Sequence, residues 1–322
     1  MTTPSVRALK KSFPDAEVHF LTEKPSDEIC LNSPYVDKII IHDPKMPFFH
    51  KVKFIKMLRE NRYDVVIDFF SNPTSGLYTF LSGSKKKIGF KKGIRKFYYT
   101  ESVSDSKGPY SAASKTSLLE PLGVYTEDYS LDFFVSDSDR EYAKKNLEKM
   151  GYNTEDFIVT ISPVSRQPYK VWSGENFAVV CDYLIKHYGA KILFIYGPGE
   201  INFVKNVTKH MKEAPPEIPQ DIPSISQTKA IFELAKLHVG NDNGPMHFAI
   251  SAKIPTVAIF GQPMAENWTP VSDINYAVEY DPGCKTNCTY PKCALECLSK
   301  IDPKRVIEKI DEIVSKKYPQ VK

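Results

Sequence analysis

Between Leu237 and His247 the chain leaves a short apolar strand and passes through Gly240, Asn241, Asp242, Asn243 and Gly244 into a helix that Pro245 opens. A helix start exposes backbone N–H groups with no partner inside the helix and carries a partial positive charge, so it suits an anion such as phosphate. Asn243 and Gly244 let the backbone come close to a ligand. His247, in the first turn, is near enough to donate to a phosphate oxygen. Ordinary helix capping explains one Asn or Asp at such a place. It does not explain Asn-Asp-Asn-Gly followed by His.

A second run, Ser162 to Trp172, leaves the end of an earlier strand, where open α/β sheets bind ligands. Its Arg166 and Lys170 can reach a crevice and neutralise a diphosphate leaving group; as a plain surface loop they would be two solvated cations beside a packing Trp172. A third, Tyr196 to Glu200, is a glycine turn in which Glu200 could accept from ribose hydroxyls or favour the helix that follows.

Elements that would position these residues alternate along the chain. Residues 17–21, 38–41, 64–68, 157–161, 191–195, 237–239 and 256–260 are short, β-branched and bounded by polar residues, which predicts buried strands. Helical spacing covers about 4–13, 49–61, 73–81, 139–150, 174–187, 200–211, 228–236, 245–252 and 303–316, the last with Asp302 as its N-cap. Such alternation predicts parallel sheets with helices on both faces. At 322 residues the chain suits two such domains, 1–150 and 151–322. Its first element is a helix where a strand is usual, as if the chain's own beginning were missing.

With 42% hydrophobic and 25% charged residues, the composition is that of an ordinary globular protein. No apolar run reaches the roughly 18 residues of a membrane span, and no signal peptide opens the chain, so the expected location is cytoplasmic. Residues 1–135 hold 20 Lys and Arg against 16 Asp and Glu, while the remainder holds 23 of each, so the net charge of +4 lies in the first half. Seven of those cations fall between Lys85 and Lys96 without an acid. Gly89, Phe90 and Gly93 suggest a hairpin-like loop presenting them from one rim of a cleft. Such a block is either a solvated face or a patch for an anionic substrate or lipid headgroups. Nucleic acid is not expected, since no recognised module for it occurs. Cys30 and Cys181 suit inert core positions. Cys284, Cys288, Cys293 and Cys297 form a loop cluster whose spacing is looser than that of common zinc sites, so it either holds zinc or carries free thiols.

These residues together resemble glycosyltransferase family 9, the bacterial heptosyltransferases of the lipopolysaccharide inner core, over nearly the whole chain. The family's helix-start motif, Asp-small-Gly-x-x-His, meets Asp242, Asn243, Gly244 and His247 in register. Its preceding loop meets Pro163, Ser165, Lys170 and Trp172, with Val164 and Arg166 standing where the family has a glycine and a small residue. The resemblance implies an α/β GT-B fold, two Rossmann-like domains facing a cleft, the first taking the acceptor and the second the donor. It implies inverting transfer without metal or other cofactor, from an ADP-heptose-like nucleotide sugar to an anionic lipid-linked glycan, with peripheral contact at the inner face of the inner membrane. Lys170 would hold the phosphates, Glu200 the ribose, and Asp242 with Asn243, Gly244 and His247 the nucleotide sugar; Ser165 and Arg166 are further substrate-binding candidates. The family's general base, an Asp in a Gly-Asp loop, would precede Met1. Asp68, at the end of its strand, is the remaining candidate for that role, although a carboxylate capping a loop explains it as well. A catalytically inactive nucleotide-sugar or glycan binder of the same fold is the alternative. An epimerase of that fold is the third reading.

Overall fold

The computed structural model describes residues 1–105 and 108–321 and divides into two compact units, Met1–Asp132 and Phe133–Lys322. The boundary falls earlier than residue 150. The helix at Asp137–Lys149 therefore belongs to the second unit, where it packs against the helix at Ile225–Leu234 and Arg140 pairs with Glu233 at 3.1 Å.

The first unit runs α1 (Thr3–Ser12), β1 (His19–Thr22), β2 (Lys38–Ile41), α2 (Phe48–Glu60), β3 (Val65–Asp68), α3 (Pro73–Leu81), β4 (Lys86–Phe90), β5 (Glu101–Val103) and α4 (Ser111–Thr116). β1 and β2 form one parallel pair, and β3, β4 and β5 a second parallel sheet in that order. α1 buries Val6 and Ala8 and also Arg7, whose guanidinium binds the Asp132 carboxylate and donates to the carbonyls of Ser130 at 3.0 Å and Asp128 at 2.9 Å.

β4 overturns one expectation. The stretch from Lys85 to Lys96 is not a hairpin-like loop but a strand inside a sheet, followed by a 3-10 turn at Gly93–Tyr98. Ile88 and Phe90 are buried, and Gly89 lies under the Tyr99 ring so closely that a Cβ would stand 2.3 Å from it. Lys86 and Lys87 begin the strand and donate to the carbonyls of Pro121 at 2.5 Å and Ser84 at 2.7 Å. Lys91, Lys92 and Lys96 lie beyond its far end, about 13 Å away at the ordinary rise of a strand. The seven cations therefore do not form one rim.

The second unit contains α5 (Asp137–Lys149), β6 (Ile158–Ser162), α6 (Gly174–Tyr188), β7 (Lys191–Phe194), α7 (Ile201–His210), α8 (Ile225–Leu234), β8 (Leu237–Asn241), α9 (Gly244–Ser251), β9 (Thr256–Phe260), β10 (Asn275–Glu279), α10 (Glu296–Ser299) and α11 (Pro303–Lys317). Its five strands are all parallel in the order β10-β9-β8-β6-β7. β6, β8 and β9 are buried along their whole length, as central strands covered on both faces must be. Alternate residues such as Val159, Ile161, Val239 and Val257 pack with Phe177, Leu184, Val306 and Ile310 of α6 and α11. The opposite face carries His238 against Phe232 of α8, ring centroids 5.1 Å apart. Asp302 caps α11 by accepting from Lys304 N at 2.9 Å, as its sequence suggests. Two parallel α/β units of this kind are the GT-B arrangement. Cys30 and Cys181 are buried, and burial pushes the Cys30 thiol up to about 11 and that of Cys181 higher still.

Candidate functional site

In the second sheet β6 is followed outward by β7 on one side, while β8, β9 and β10 continue on the other. The chain therefore changes direction between β6 and β8, and open parallel sheets bind ligands at that switch point, beyond the carboxyl ends of the two strands. The loop after β6 contains Ser165, Arg166 and Lys170, and the turn after β8 contains Asp242, Asn243 and Gly244.

Three bridges join loop and turn. Asn243 caps α9, its Oδ1 accepting from Met246 N at 3.1 Å, while its Nδ2 donates to Val164 O at 2.9 Å and Ser162 Oγ at 3.1 Å. Trp172 N donates to Asn241 Oδ1 at 3.1 Å, and the Trp172 indole is anchored to Ile301 O at 3.1 Å. Lys170 Nζ stands 2.6 Å from Asp242 Oδ2, with 21% of the lysine side chain exposed against 3% of the aspartate. Lys170 thus already serves a buried carboxylate while its stem and head remain reachable from solvent. Arg166 is exposed and has no partner among the described residues.

α9 begins at Gly244, one residue before Pro245, so Pro245 sits second in the helix, still within the turn whose N–H groups have no helical partner. Gly240 and Gly244 are glycines for different reasons. A Cβ at Gly240 would lie 2.1 Å from Ser162 Oγ, so the packing of β6 on β8 requires its absence. At Gly244 a Cβ would meet only a ring atom of Phe248 at 3.9 Å, so space over the helix start is open. His247 follows, its Nδ1 buried without a partner, and burial pushes the imidazole down to about 3, so it is neutral near pH 7. Asn241 Nδ2 is buried and unpartnered as well. Native proteins leave few such groups, so two on one turn invite a ligand.

Trp268 escaped the sequence reading. It lies after β9, the next strand over, with its ring 6.2 Å from that of His247 and 5.9 Å from Lys170 Nζ. One of only two tryptophans, eight residues beyond a predicted strand, was the available signal. Glu200 lies after β7 and just before α7; its Oε2 accepts from Gly197 N at 2.7 Å and holds its own turn. Ser165 Oγ accepts from Gln167 N at 3.3 Å.

Asp68, the candidate base, is buried and held by four hydrogen bonds. Its Oδ1 accepts from Phe70 N at 3.0 Å and Ser71 N at 2.8 Å, and its Oδ2 from Ser75 Oγ and Tyr99 Oη, both at 2.8 Å. Only 5% of the residue is exposed. Both oxygens accept hydrogen bonds, three from the loop into α3 and one from Tyr99. The four clustered cysteines surround a cavity of about 250 Å³ with Lys285, and among the described residues no three His, Cys, Asp or Glu side chains converge as ligands of one metal ion would.

The fold is that of the GT-B class. The profile of glycosyltransferase family 9 (heptosyltransferase) matches residues 51–298, and the chain belongs to that family. It is 27% identical over 282 residues to lipopolysaccharide heptosyltransferase 3 of Escherichia coli (strain K12), covering 84% of this chain and 81% of that protein. With lipopolysaccharide heptosyltransferase 1 of Campylobacter coli it shares 24% identity over 327 residues, 95% of this chain and 92% of the other. Among solved structures, a family 9 glycosyl transferase from Veillonella parvula DSM 2008 superposes with a TM-score of 0.85 at 23% identity, covering 98% of this chain and 93% of that one. An E. coli heptosyltransferase solved with ADP-2-deoxy-2-fluoro heptose gives 0.73 at 17% identity, over 97% and 94%.

Proposed function

We propose that this glycosyltransferase moves a heptose from ADP-heptose to a lipopolysaccharide-core acceptor, with inversion and without a metal ion. The donor is assigned to the second unit and the anionic, lipid-linked acceptor to the first. One observation carries the reading most: the helix start at Gly244 lies open, with the unpartnered His247 Nδ1 in its first turn and Lys170 held beside it by Asp242. The names of the relatives, including a structure holding an ADP-heptose analogue, support the choice of donor. In such a transfer an acceptor hydroxyl oxygen attacks the anomeric carbon from the face opposite the diphosphate, the bond to the diphosphate breaks, and the hydroxyl proton passes to a base. The departing ADP gains negative charge, which the N-terminal dipole of α9, the Arg166 guanidinium and the Lys170 ammonium offset. These positive groups would supply the charge stabilisation that a divalent cation supplies in metal-dependent transfer. Neutral His247 can donate a hydrogen bond to a phosphate oxygen, while Glu200 and Asp242 are assigned to the ribose and the nucleotide sugar, and Ser165 to the phosphates.

Calorimetry with ADP tests this. Arg166→Ala should weaken binding by about 1.5–3 kcal/mol, the range for a charge-assisted hydrogen bond, with no change in Tm. Lys170→Ala should weaken ADP comparably and also destabilise the fold by about 2–3 kcal/mol, because Asp242 is left buried and unpaired. Adding Asp242→Asn should restore the stability but not the affinity. Unchanged ADP affinity in both single variants refutes the donor site. Transfer that stops with EDTA and resumes with Mg²⁺ refutes the metal-free reaction.

A further inference from the structure

The loop after β9 carries a tryptophan that lies outside the apolar core of its own unit. The segment leaves Phe260, makes a 3-10 turn at Ala265–Asn267 and reaches Trp268 and Thr269. Its anchor is Ala265, 5% exposed, whose N–H donates to Glu279 Oε2 at 3.3 Å while its carbonyl accepts from Trp268 N at 2.9 Å and Thr269 N at 2.8 Å. At the base of the loop Gly261 lies so close to the loop after β6 that a Cβ would stand 2.2 Å from Tyr169 O. The backbone is thus fixed at its base and at its turn. The Trp268 ring nevertheless stays half-exposed, and Thr269 Oγ1 is buried without a partner. A large ring only partly covered, next in sequence to an unpaired hydroxyl, has contacts left to make.

The ring meets two groups of the candidate site. The His247 ring lies 6.2 Å away, its plane tilted by 50°, and Lys170 Nζ lies 5.9 Å from the ring centroid. Strand order then says which part of a nucleotide sugar the ring faces. β9, β8, β6 and β7 follow one another across the sheet and are all parallel, so the segments after them share one edge. Glu200 follows β7, the helix start at Gly244 follows β8, and Trp268 follows β9. The outer two of these strands stand three intervals apart, about 14 Å at the ordinary spacing. In a nucleotide sugar the ribose and the transferred sugar hang on opposite sides of the diphosphate. With the phosphates at Gly244 and the ribose at Glu200, the sugar is directed toward β9 and onto Trp268. A pyranose has a face lined by C–H groups, which packs well on the negative face of an aromatic ring; a phosphate oxygen, itself negative, avoids it. An adenine stacked there would bring the ribose to Trp268 and leave Glu200 across the sheet from it.

We propose that Trp268 is the wall of the sugar subsite, its ring packed on the C–H face of the donor's pyranose, so that it selects for the sugar and not for the nucleotide. The inference deepens the proposed donor site, on which it rests. It divides the duties of that site. Lys170, which Asp242 holds at 2.6 Å with or without the ring, serves the diphosphate, and Trp268 serves the group that is transferred.

The test compares ADP with ADP-heptose by calorimetry on the full chain. Trp268→Ala should lower affinity for ADP-heptose about tenfold and change affinity for ADP by no more than about twofold, since only the sugar loses its contact. In transfer the same variant should raise KM for ADP-heptose. Trp268→Phe keeps a ring and should recover most of the loss. Melting curves of both variants should match the unaltered chain, because Ala265 and not Trp268 anchors the loop. A second readout needs no variant. The chain has two tryptophans, and Trp172 is 1% exposed, so acrylamide quenching reports Trp268. ADP-heptose should shield that emission far more than ADP does. Equal losses for the two ligands in Trp268→Ala, or equal shielding by them, would seat the nucleotide on the ring and overturn the proposal. Unchanged ADP-heptose affinity in Trp268→Ala would overturn it as well, while normal ADP binding there would leave the phosphate site standing. An unaltered chain that binds neither ligand would overturn the donor site itself, and the sugar subsite with it.

Discussion

Two glycines four residues apart separate what the fold needs from what the ligand needs. At Gly240 a methyl group would collide with Ser162 Oγ across the β6–β8 pair, in the most buried part of the second sheet. Gly240→Ala should therefore cost about 1–3 kcal/mol of stability, as overpacked cores do, read as a lowered denaturation midpoint. At Gly244 nothing in the protein resists a methyl group, and replacing a helical glycine should if anything help folding. Gly244→Ala should keep or raise Tm while weakening ADP several-fold, because the added carbon occupies the open space over the helix start. A variant that binds ADP normally would place the phosphates elsewhere. Both glycines were visible in the sequence, but only the neighbours each would strike distinguish them.

The loop from β3 into α3 shows how one carboxylate organises an element. Asn72 caps α3 in a reciprocal capping box with Ser75, and Ser75 in turn donates to Asp68. Ser71 takes a left-handed backbone at φ 50°, and its carbonyl accepts from Arg95 at 2.8 Å. Asp68→Ala removes four acceptor contacts from a buried site and should destabilise the unit by about 2–4 kcal/mol. Asp68→Asn keeps an oxygen for the two backbone donors, and its amide can donate to the hydroxyls of Ser75 and Tyr99. That variant should be milder in denaturant melts and should retain most of its transfer rate. A loss of three orders of magnitude or more with the fold intact would mark Asp68 as the base. Strand and helix on either side of this loop follow the sequence periodicity closely; the saturation of Asp68 depends on Tyr99, which is 31 residues away.

For the molecule as a whole, the pH dependence of stability should show the buried imidazoles. His238 lies in the core of the second sheet with its nitrogens against Thr160 Oγ1 at 3.0 Å and Ser162 Oγ at 3.3 Å, and burial pushes its pKa down to about 3. The unfolded chain titrates near the ordinary histidine value, so between that value and 3 it binds a proton that the folded chain refuses. Stability is then complete above about pH 6.5 and is lost as pH falls, with a slope approaching about 1.4 kcal/mol per pH unit for this group. Urea titrations at several pH values between 7 and 4.5 would measure it, and His238→Gln should flatten the slope even if it lowers the plateau. No helix among the described residues is long and apolar enough to cross a membrane.

Periodicity and capping chemistry are local, and they sufficed for most strands and helices, for the two α/β units and for the run from Asn241 to His247. Lys38–Ile41, Pro73–Leu81 and Thr256–Phe260 have the bounds their residues suggest. Local signals failed where charge masked a strand: β4 opens with two lysines, and its membership of a sheet rests on hydrogen bonds to β3 and β5. They failed again for α5, whose partner α8 is distant in sequence, and for Trp268, whose nearness to His247 and Lys170 is a tertiary fact. The residues proposed for the nucleotide site could be named from their types. That the loop after β6 and the turn after β8 meet, and that Lys170 meets Asp242 there, follows from strand order, because neighbouring parallel strands bring distant segments to the same edge.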